Sequence, residues 1–279
     1  MKIAILYQNQ APPEKNGIKK PMKKGGYSDS GADIGYCLKK NGIELITPVR
    51  DPNPMNDIDW VFPDTVNGIK AALSKGANVF WLNTVLFEGH PIEFFFNKQI
   101  EIIGQLPEMV NKYDDKIEAN KILAENNLSI PKNQIIYDIR DLDTIDKVFQ
   151  YPIVAKPIRG RGSQGVVMAK NIEELRKKSK KILDSGNFGD AIYIEQFLSG
   201  KEITITVMPP GKYIFGQKEI NKSQYWSLTP VERFNHINGI APYNGTIAVI
   251  NNSAVISDCL LYTSPSPRDA TLSRMPSSA

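Results

Sequence analysis

The sequence predicts an α/β domain with a parallel sheet, followed by an α+β unit built from hairpins. Three observations carry that reading. Short apolar runs alternate with helical patterns over roughly the first hundred residues, the signature of β-α-β units. Further on, an apolar run passes through a glycine-rich loop into a second β-rich run, not into a helix. A tight Ser199-Gly200-Lys201 turn then joins two more β-rich runs.

The elements follow in order. The run KIAILY over 2–7 reads as a strand, and Asp29 or Ser30 is placed to cap a helix over 31–41 that stops at Asn41-Gly42. IELITPV reads as a second strand, VNGIKAALSKG as a helix and ANVFWLN as a third strand. A helix over 114–127 follows, with Ile117, Ile122 and Leu123 on one face, Asp114 or Asp115 near its start and Pro131 beyond its end. QIIYD is a strand, and a helix centres on Asp143 to Val148. The remainder reads as strand YPIVAKP, glycine loop, strand GVVMAK, helix NIEELRKKSKKIL, strand AIYIEQFL and strand EITITVM.

Composition narrows the function classes. At 279 residues and 41% apolar content, the chain is long enough to bury substantial cores. The net charge of +4, from 34 basic and 30 acidic side chains, is too diffuse to indicate nucleic acid, with short lysine clusters at Lys19-Lys20, Lys23-Lys24 and 177–181. No apolar run approaches the roughly 18 residues needed to span a bilayer, and the polar turn after the first strand does not read as a signal peptide. Two cysteines, Cys37 and Cys259, make no disulfide framework, which fits a cytoplasmic protein.

Gly160-Arg161-Gly162-Ser163-Gln164-Gly165 satisfies G-x-G-x-x-G. A dinucleotide site needs that loop to open a helix, and here a β-rich run follows. A protein kinase would place it between strands, but nothing resembling H-R-D or D-F-G comes after it. Two readings stay open on the residues alone: a flexible hairpin turn, or a hairpin whose backbone N–H groups approach phosphate oxygens. Lys156, in the apolar run before the loop, could add charge to the same phosphates. Glu195 and Glu202 flank the next turn, where apolar walls suit adenine and a carboxylate suits ribose hydroxyls, although exposed hairpin charges would look the same.

Together these features resemble the ATP-grasp superfamily, and within it the D-alanine–D-alanine ligases, over residues 1–258 and most closely over 114–208. The family's K-P-S-R-E-G-S-S-V-G run is similar to residues 156–165, and its E-K-W-L-S-G-x-E-F-T-V run to residues 195–205. The resemblance implies an ATP-grasp fold behind a pre-ATP-grasp parallel-sheet domain at 1–110, with ATP-grasp subdomains at 111–190 and 191–258. It further implies nucleotide contacts from Lys116, Lys156, Gly162 and Ser163, an adenine site framed by Glu195, Gln196 and Leu198, and a ribose contact from Glu202. The reaction implied is ATP-dependent joining of a carboxylate to an amine through an acyl phosphate, with magnesium on the phosphates. ATP and a small carboxylate and amine, such as amino acids, are the implied partners, in a cytoplasmic enzyme that admits a homodimer. A biotin-carboxylase-like enzyme and a non-catalytic nucleotide-binding module are the competing readings.

Departures concern the substrate. The basic segment QNQAPPEKNGIKKPMKKGGYSDSG has no counterpart for the family's substrate-orienting glutamate. Segments around Phe62, Trp81 and Arg233 resemble a branch described only as glutathione-synthetase-like or D-alanine-ligase-like. There Arg233 and His236, beside Asn235 and Asn238, form a polar cluster suited to an acyl phosphate or carboxylate, which makes them the candidate catalytic residues. His90 fits either a substrate contact or an ordinary loop residue.

The end of the chain reads differently. Residues 259–279 lack periodicity, and the codons of a transposase-type sequencing adapter translate as residues 259–269 and, after an index, as residues 273–279. They are taken as an artefactual, disordered tail. The family's metal ligands would then lie beyond residue 258, so no metal residue is assigned and the fragment is expected to bind nucleotide without ligase turnover.

Overall fold

The computed structural model describes residues 1–241 and 249–256. Residues 242–248, part of the Arg233 segment, and the tail assigned to 259–279 lie outside the described residues.

The first sheet is parallel. Its strands are β1 (Ile3–Tyr7), β2 (Phe62–Pro63), β3 (Val79–Asn83) and β4 (Glu101–Ile103), in the order β2-β1-β3-β4. Helices α1 (Ser28–Lys40) and α2 (Val66–Ser74) are its crossovers. Both faces are covered, as a parallel sheet requires. Ala4, Leu6, Phe62, Phe80 and Leu82 enter one core, and Ile3, Ile5, Val61 and Val79 the other. This alternation is the period of two written out along β1. Thr65 caps α2 by accepting from the Gly68 N–H at 3.1 Å.

Two expectations need correction here. IELITPV makes only one parallel bridge, Ile3 to Leu45, and the strand beside β1 is β2. Pro48 has no N–H with which to extend the ladder. Neither Asp29 nor Ser30 caps α1; Tyr27 does so in the left-handed conformation without a side-chain bond, while Asp29 pairs with Lys23 at 2.9 Å.

Short helices α3 (Pro107–Tyr113) and α4 (Lys116–Glu125) lead into the second sheet. Asp115 caps α4, accepting from Ile117 N–H at 2.8 Å. The second sheet is antiparallel, built from β5 (Asn133–Ile136), β6 (Ile153–Pro157), β7 (Val167–Ala169) and β8 (Ile192–Gln196) in the order β5-β8-β6-β7. Helix α5 (Ile172–Asp184), capped by Asn171, covers one face through Leu175 and Ile182. The helix expected near Asp143 to Val148 is a 3-10 helix, Ile139–Lys147. Ile139, Leu142, Ile145 and Val148 recur every third residue, which matches three residues per turn and places them together on the core.

Beyond β8 the chain forms smaller sheets. β9 (Glu202–Thr204), β14 (Val231–Arg233) and β15 (Ser253–Val255) make one in the order β15-β14-β9. β10 (Val207–Met208) pairs with β13 (Trp226–Ser227), and β11 (Gly211–Phe215) with β12 (Lys218–Lys222). EITITVM, expected as one strand, is thus two, because the chain changes partner between Thr204 and Val207.

Candidate nucleotide site

The site starts from the alternation along two paired strands. In β6 and β8, Ile153, Ala155, Ile192 and Ile194 face the α5 core and are fully buried. Their neighbours Val154, Lys156 and Glu195 face the other way, into a cavity of about 540 Å³. Lys156 stands opposite Tyr193 in the ladder, one pleat from the Val154–Glu195 pair. Its ammonium donates to Glu195 Oε1 at 2.7 Å and lies 5.3 Å from the Tyr193 ring centroid. Asn120 of α4 donates to the Tyr193 hydroxyl from below.

Lys116 reaches the same cavity from the first turn of α4, donating to the Ile158 carbonyl at 3.0 Å. Burial, then the charge of Lys156, lowers its pKa to about 8, against the opposing pull of Asp114, Asp115 and Glu195. A lysine so depressed carries a charge that the free protein supports poorly and an anion would support well.

The glycine-rich loop closes the cavity as the turn of the antiparallel β6–β7 hairpin. Gln164 N–H donates to Arg161 O and Val166 N–H to Ser163 O, each at 3.2 Å, so the loop is two tight turns in succession. Gly165 has φ +71°, and a Cβ there would sit 2.7 Å from Pro157 Cγ and 2.9 Å from the Phe188 ring. Ser163, at φ +58°, donates its hydroxyl to the Ala241 carbonyl at 2.8 Å, which ties the loop to the opposite wall.

That opposite wall comes from Phe197, Glu202 and residues 239–241. Lys116, Lys156, Gly162, Ser163, Glu195 and Glu202 therefore line one cavity. Gln196 and Leu198 do not: Gln196 is exposed, Leu198 is 47% exposed, and Phe197 between them turns inward. Arg233 and His236 also stand behind the lining. Arg233 faces Glu202 across the β14–β9 ladder, and His236 Nε2 lies 3.1 Å from Glu202 Oε2. Neither residue is among those that line the cavity.

Outside the cavity, His90 is completely buried. Its Nδ1 accepts from Ile92 N–H at 3.3 Å, leaving Nε2 to face Asp64 Oδ2 at 3.2 Å; Asp64 also accepts from Thr84 and from the Asn9 N–H. This network joins the carboxyl ends of β1, β2 and β3, and His90 is structural. The reading of His90 as a substrate contact is set aside for that reason.

Among the described residues no group of three His, Cys, Asp or Glu side chains could hold a metal ion.

The fold is the ATP-grasp fold. Residues 113–208, which carry both lysines, the loop and the β8–β9 turn, match the model of the RimK-like ATP-grasp domain. Solved structures with this fold include the D-alanine–D-alanine ligase of Bacillus anthracis complexed with ATP, at TM-score 0.56 and 15% identity over 94% of this chain and 72% of that one. N5-carboxyaminoimidazole synthetase from Staphylococcus aureus complexed with ADP matches at TM-score 0.56 and 16% identity, over 90% and 60% of the two chains. In sequence, the amino-terminal section of the carbamoyl phosphate synthase large chain of Aquifex aeolicus is 23% identical over 198 residues, 64% of this chain and 35% of that protein. The D-alanine–D-alanine ligase of Halalkalibacterium halodurans is 24% identical over 210 residues, 75% and 61% respectively. The chain thus spans about a third to three-fifths of these two relatives.

Sequence reasoning missed several contributors, Val154 among them. Arg161, Phe197 and the 239–241 turn all line the cavity. Arg161 was readable as a charge inside the glycine loop; Phe197 and 239–241 depended on how the chain folds back.

Proposed function

We propose that the chain is the nucleotide-binding part of an ATP-dependent carboxylate–amine ligase. The observation that carries this is the convergence, in one cavity, of two lysines, a glycine hairpin and two carboxylates from separate elements. Lys116, Lys156 and the N–H groups of the loop suit the triphosphate, Val154 and Phe197 suit the base, and Glu202, steadied by His236, suits a ribose hydroxyl. In the free protein Glu195 neutralises Lys156, and an incoming phosphate competes for that ammonium.

The chemistry is phosphoryl transfer followed by acyl transfer. The bond from Pγ to the ADP oxygen breaks as a carboxylate oxygen bonds to Pγ. The amine then attacks the acyl carbon and loses a proton, and phosphate leaves with its oxygen. This chain's residues contribute positioning and charge neutralisation, on which catalysis of phosphoryl transfer chiefly depends. Amino acids are the proposed carboxylate and amine class, because the D-alanine–D-alanine ligases are among the relatives in both sequence and fold. Among the described residues no helix is long and apolar enough to cross a membrane, and we assign the protein to the cytoplasm.

Calorimetric titration with ATP tests the first step. One ATP is expected to bind per chain, with ADP competing, and Lys156→Ala to weaken binding on the order of 10- to 100-fold. Absence of ATP binding by the unaltered chain would sink the reading. Trapping with hydroxylamine tests the second: a ligase that carries this nucleotide-binding part should yield a hydroxamate from an amino acid and ATP, whereas this chain alone is expected to bind ATP without turnover. ATP binding by that protein with no hydroxamate from any carboxylate would reduce it to a nucleotide-binding module.

A further inference from the structure

The basic segment between β1 and α1, which lacks the family's substrate-orienting glutamate, does not stay with the parallel sheet. Residues 15–19 dock on the loop before β8: Ile18 bridges Gly189, Lys19 N–H donates to Phe188 O at 3.1 Å, and Asp190 N–H to Gly17 O at 3.3 Å. Ile18 is buried with Ile158, Ala191 and Tyr193. The docking carries Lys20 beneath the glycine loop, where its side chain is 2% exposed and its ammonium donates to both oxygens of Asp114.

Asp114 is shared three ways. Arg159 Nε lies 3.7 Å and Arg161 Nη2 3.5 Å from it, and Arg159 also donates to Pro13 O at 3.2 Å. Three cations thus surround one carboxylate, and two of them, Lys20 and Arg159, are almost fully buried. Burial alone would raise the Asp114 carboxyl, yet Lys20, Arg161 and Arg159 outweigh it and hold the group below its usual range. Lys20 is pulled down to about 8 by burial and then by Arg161. Surplus buried positive charge is costly unless an anion meets it. Of the three, Arg161 is the one with access to the cavity, at 40% side-chain exposure, and it lines the wall beside Gly162, Ser163 and Lys116.

We propose that Arg161, held by the Lys20–Asp114–Arg159 cluster, forms an oxyanion subsite at the phosphate end of the cavity, taking the phosphoryl group as it leaves the nucleotide. The inference rests on the nucleotide reading of that cavity. Arg161 touches the phosphoryl oxygens; Lys20 and Asp114 are positioning residues that fix the guanidinium from the amino-terminal domain. Through Lys20 the segment between β1 and α1 acts on the subsite indirectly, without lining the cavity itself.

Inorganic phosphate is the probe, titrated calorimetrically into the full chain with and without saturating ADP. Phosphate is expected to bind alongside ADP, and Arg161→Gln to weaken it at least about 10-fold while ADP affinity changes less than about threefold. Arg161→Lys should restore part of the phosphate affinity. Lys20→Met should weaken phosphate in the same sense, and Lys20→Arg should not. Equal phosphate binding by wild type and Arg161→Gln overturns the subsite, as does ADP affinity falling in step with phosphate, or no phosphate binding to the ADP complex. Acetate separates the oxyanions: Arg161-dependent acetate binding without phosphate binding overturns the phosphoryl assignment. If ADP does not bind but phosphate binds through Arg161, the oxyanion site stands while the nucleotide reading, and with it the role in phosphoryl transfer, fails.

Discussion

Lys116 shows how a single charge is tuned by its setting. Its pKa of about 8 lies below the ordinary 10.5, so between those values the unfolded chain binds more protons than the folded one. Stability of the free protein therefore rises with pH through that window, and Lys116→Met should flatten the rise in urea titrations at pH 8 and pH 10. The proposed ATP binding should have the opposite slope, because the phosphates would need the ammonium protonated. Affinity should fall as pH passes about 8 in the native protein, and Lys116→Arg, charged throughout, should lose that dependence in calorimetry. The residue type and its place opening a helix were legible in the sequence. The depression was not, since it comes first from burial between α4 and β6 and then from the charge of Lys156, which lies on a separate strand.

Among the elements, the hairpin, α5 and the parallel strands were legible because each is built from short-range pattern. The strand beside β1 was misread since a run such as IELITPV has strand composition whether or not a neighbour is available. The 139–147 segment was read as a helix of the wrong pitch, although its apolar spacing of three was present in the sequence. That spacing now makes a distinction. Leu142 is fully buried, whereas Leu123 on α4 is 39% exposed. Leu142→Ala should cost about 2–5 kcal/mol and Leu123→Ala well under about 1 kcal/mol in denaturant unfolding. Equal losses at the two positions would show that α4 contributes a core face after all.

At the scale of the whole molecule, the contact that matters is between segments 15–19 and 186–190. Gly189 sits at φ +90°, and a Cβ there would lie 1.9 Å from the Gly17 carbonyl oxygen. Gly189→Ala should therefore separate the two segments, costing about 1–3 kcal/mol and freeing the backbone around the exposed Lys15 and Lys19 for cleavage by trypsin. Thermal unfolding combined with the cleavage pattern checks this: an unchanged transition and an uncut segment would mean that the docking is not needed. The ATP-grasp fold itself tolerates wide sequence change, as identities of 15–16% at TM-score 0.56 show, so the interface is a matter for this chain's own residues.

What the sequence determined by itself is local: the alternation that builds β1, β6 and β8, the glycine hairpin between antiparallel strands, and the residue types of the proposed phosphate site. Those follow from periodicity and backbone freedom, which act over a few residues. What only the tertiary structure decided is which charges meet. Lys20 reaches Asp114, Phe197 replaces Leu198 at the cavity wall, and Arg233 and His236 stand behind Glu202. Electrostatic and steric neighbours are set by through-space distance, and the chain brings together residues that no spacing along it connects.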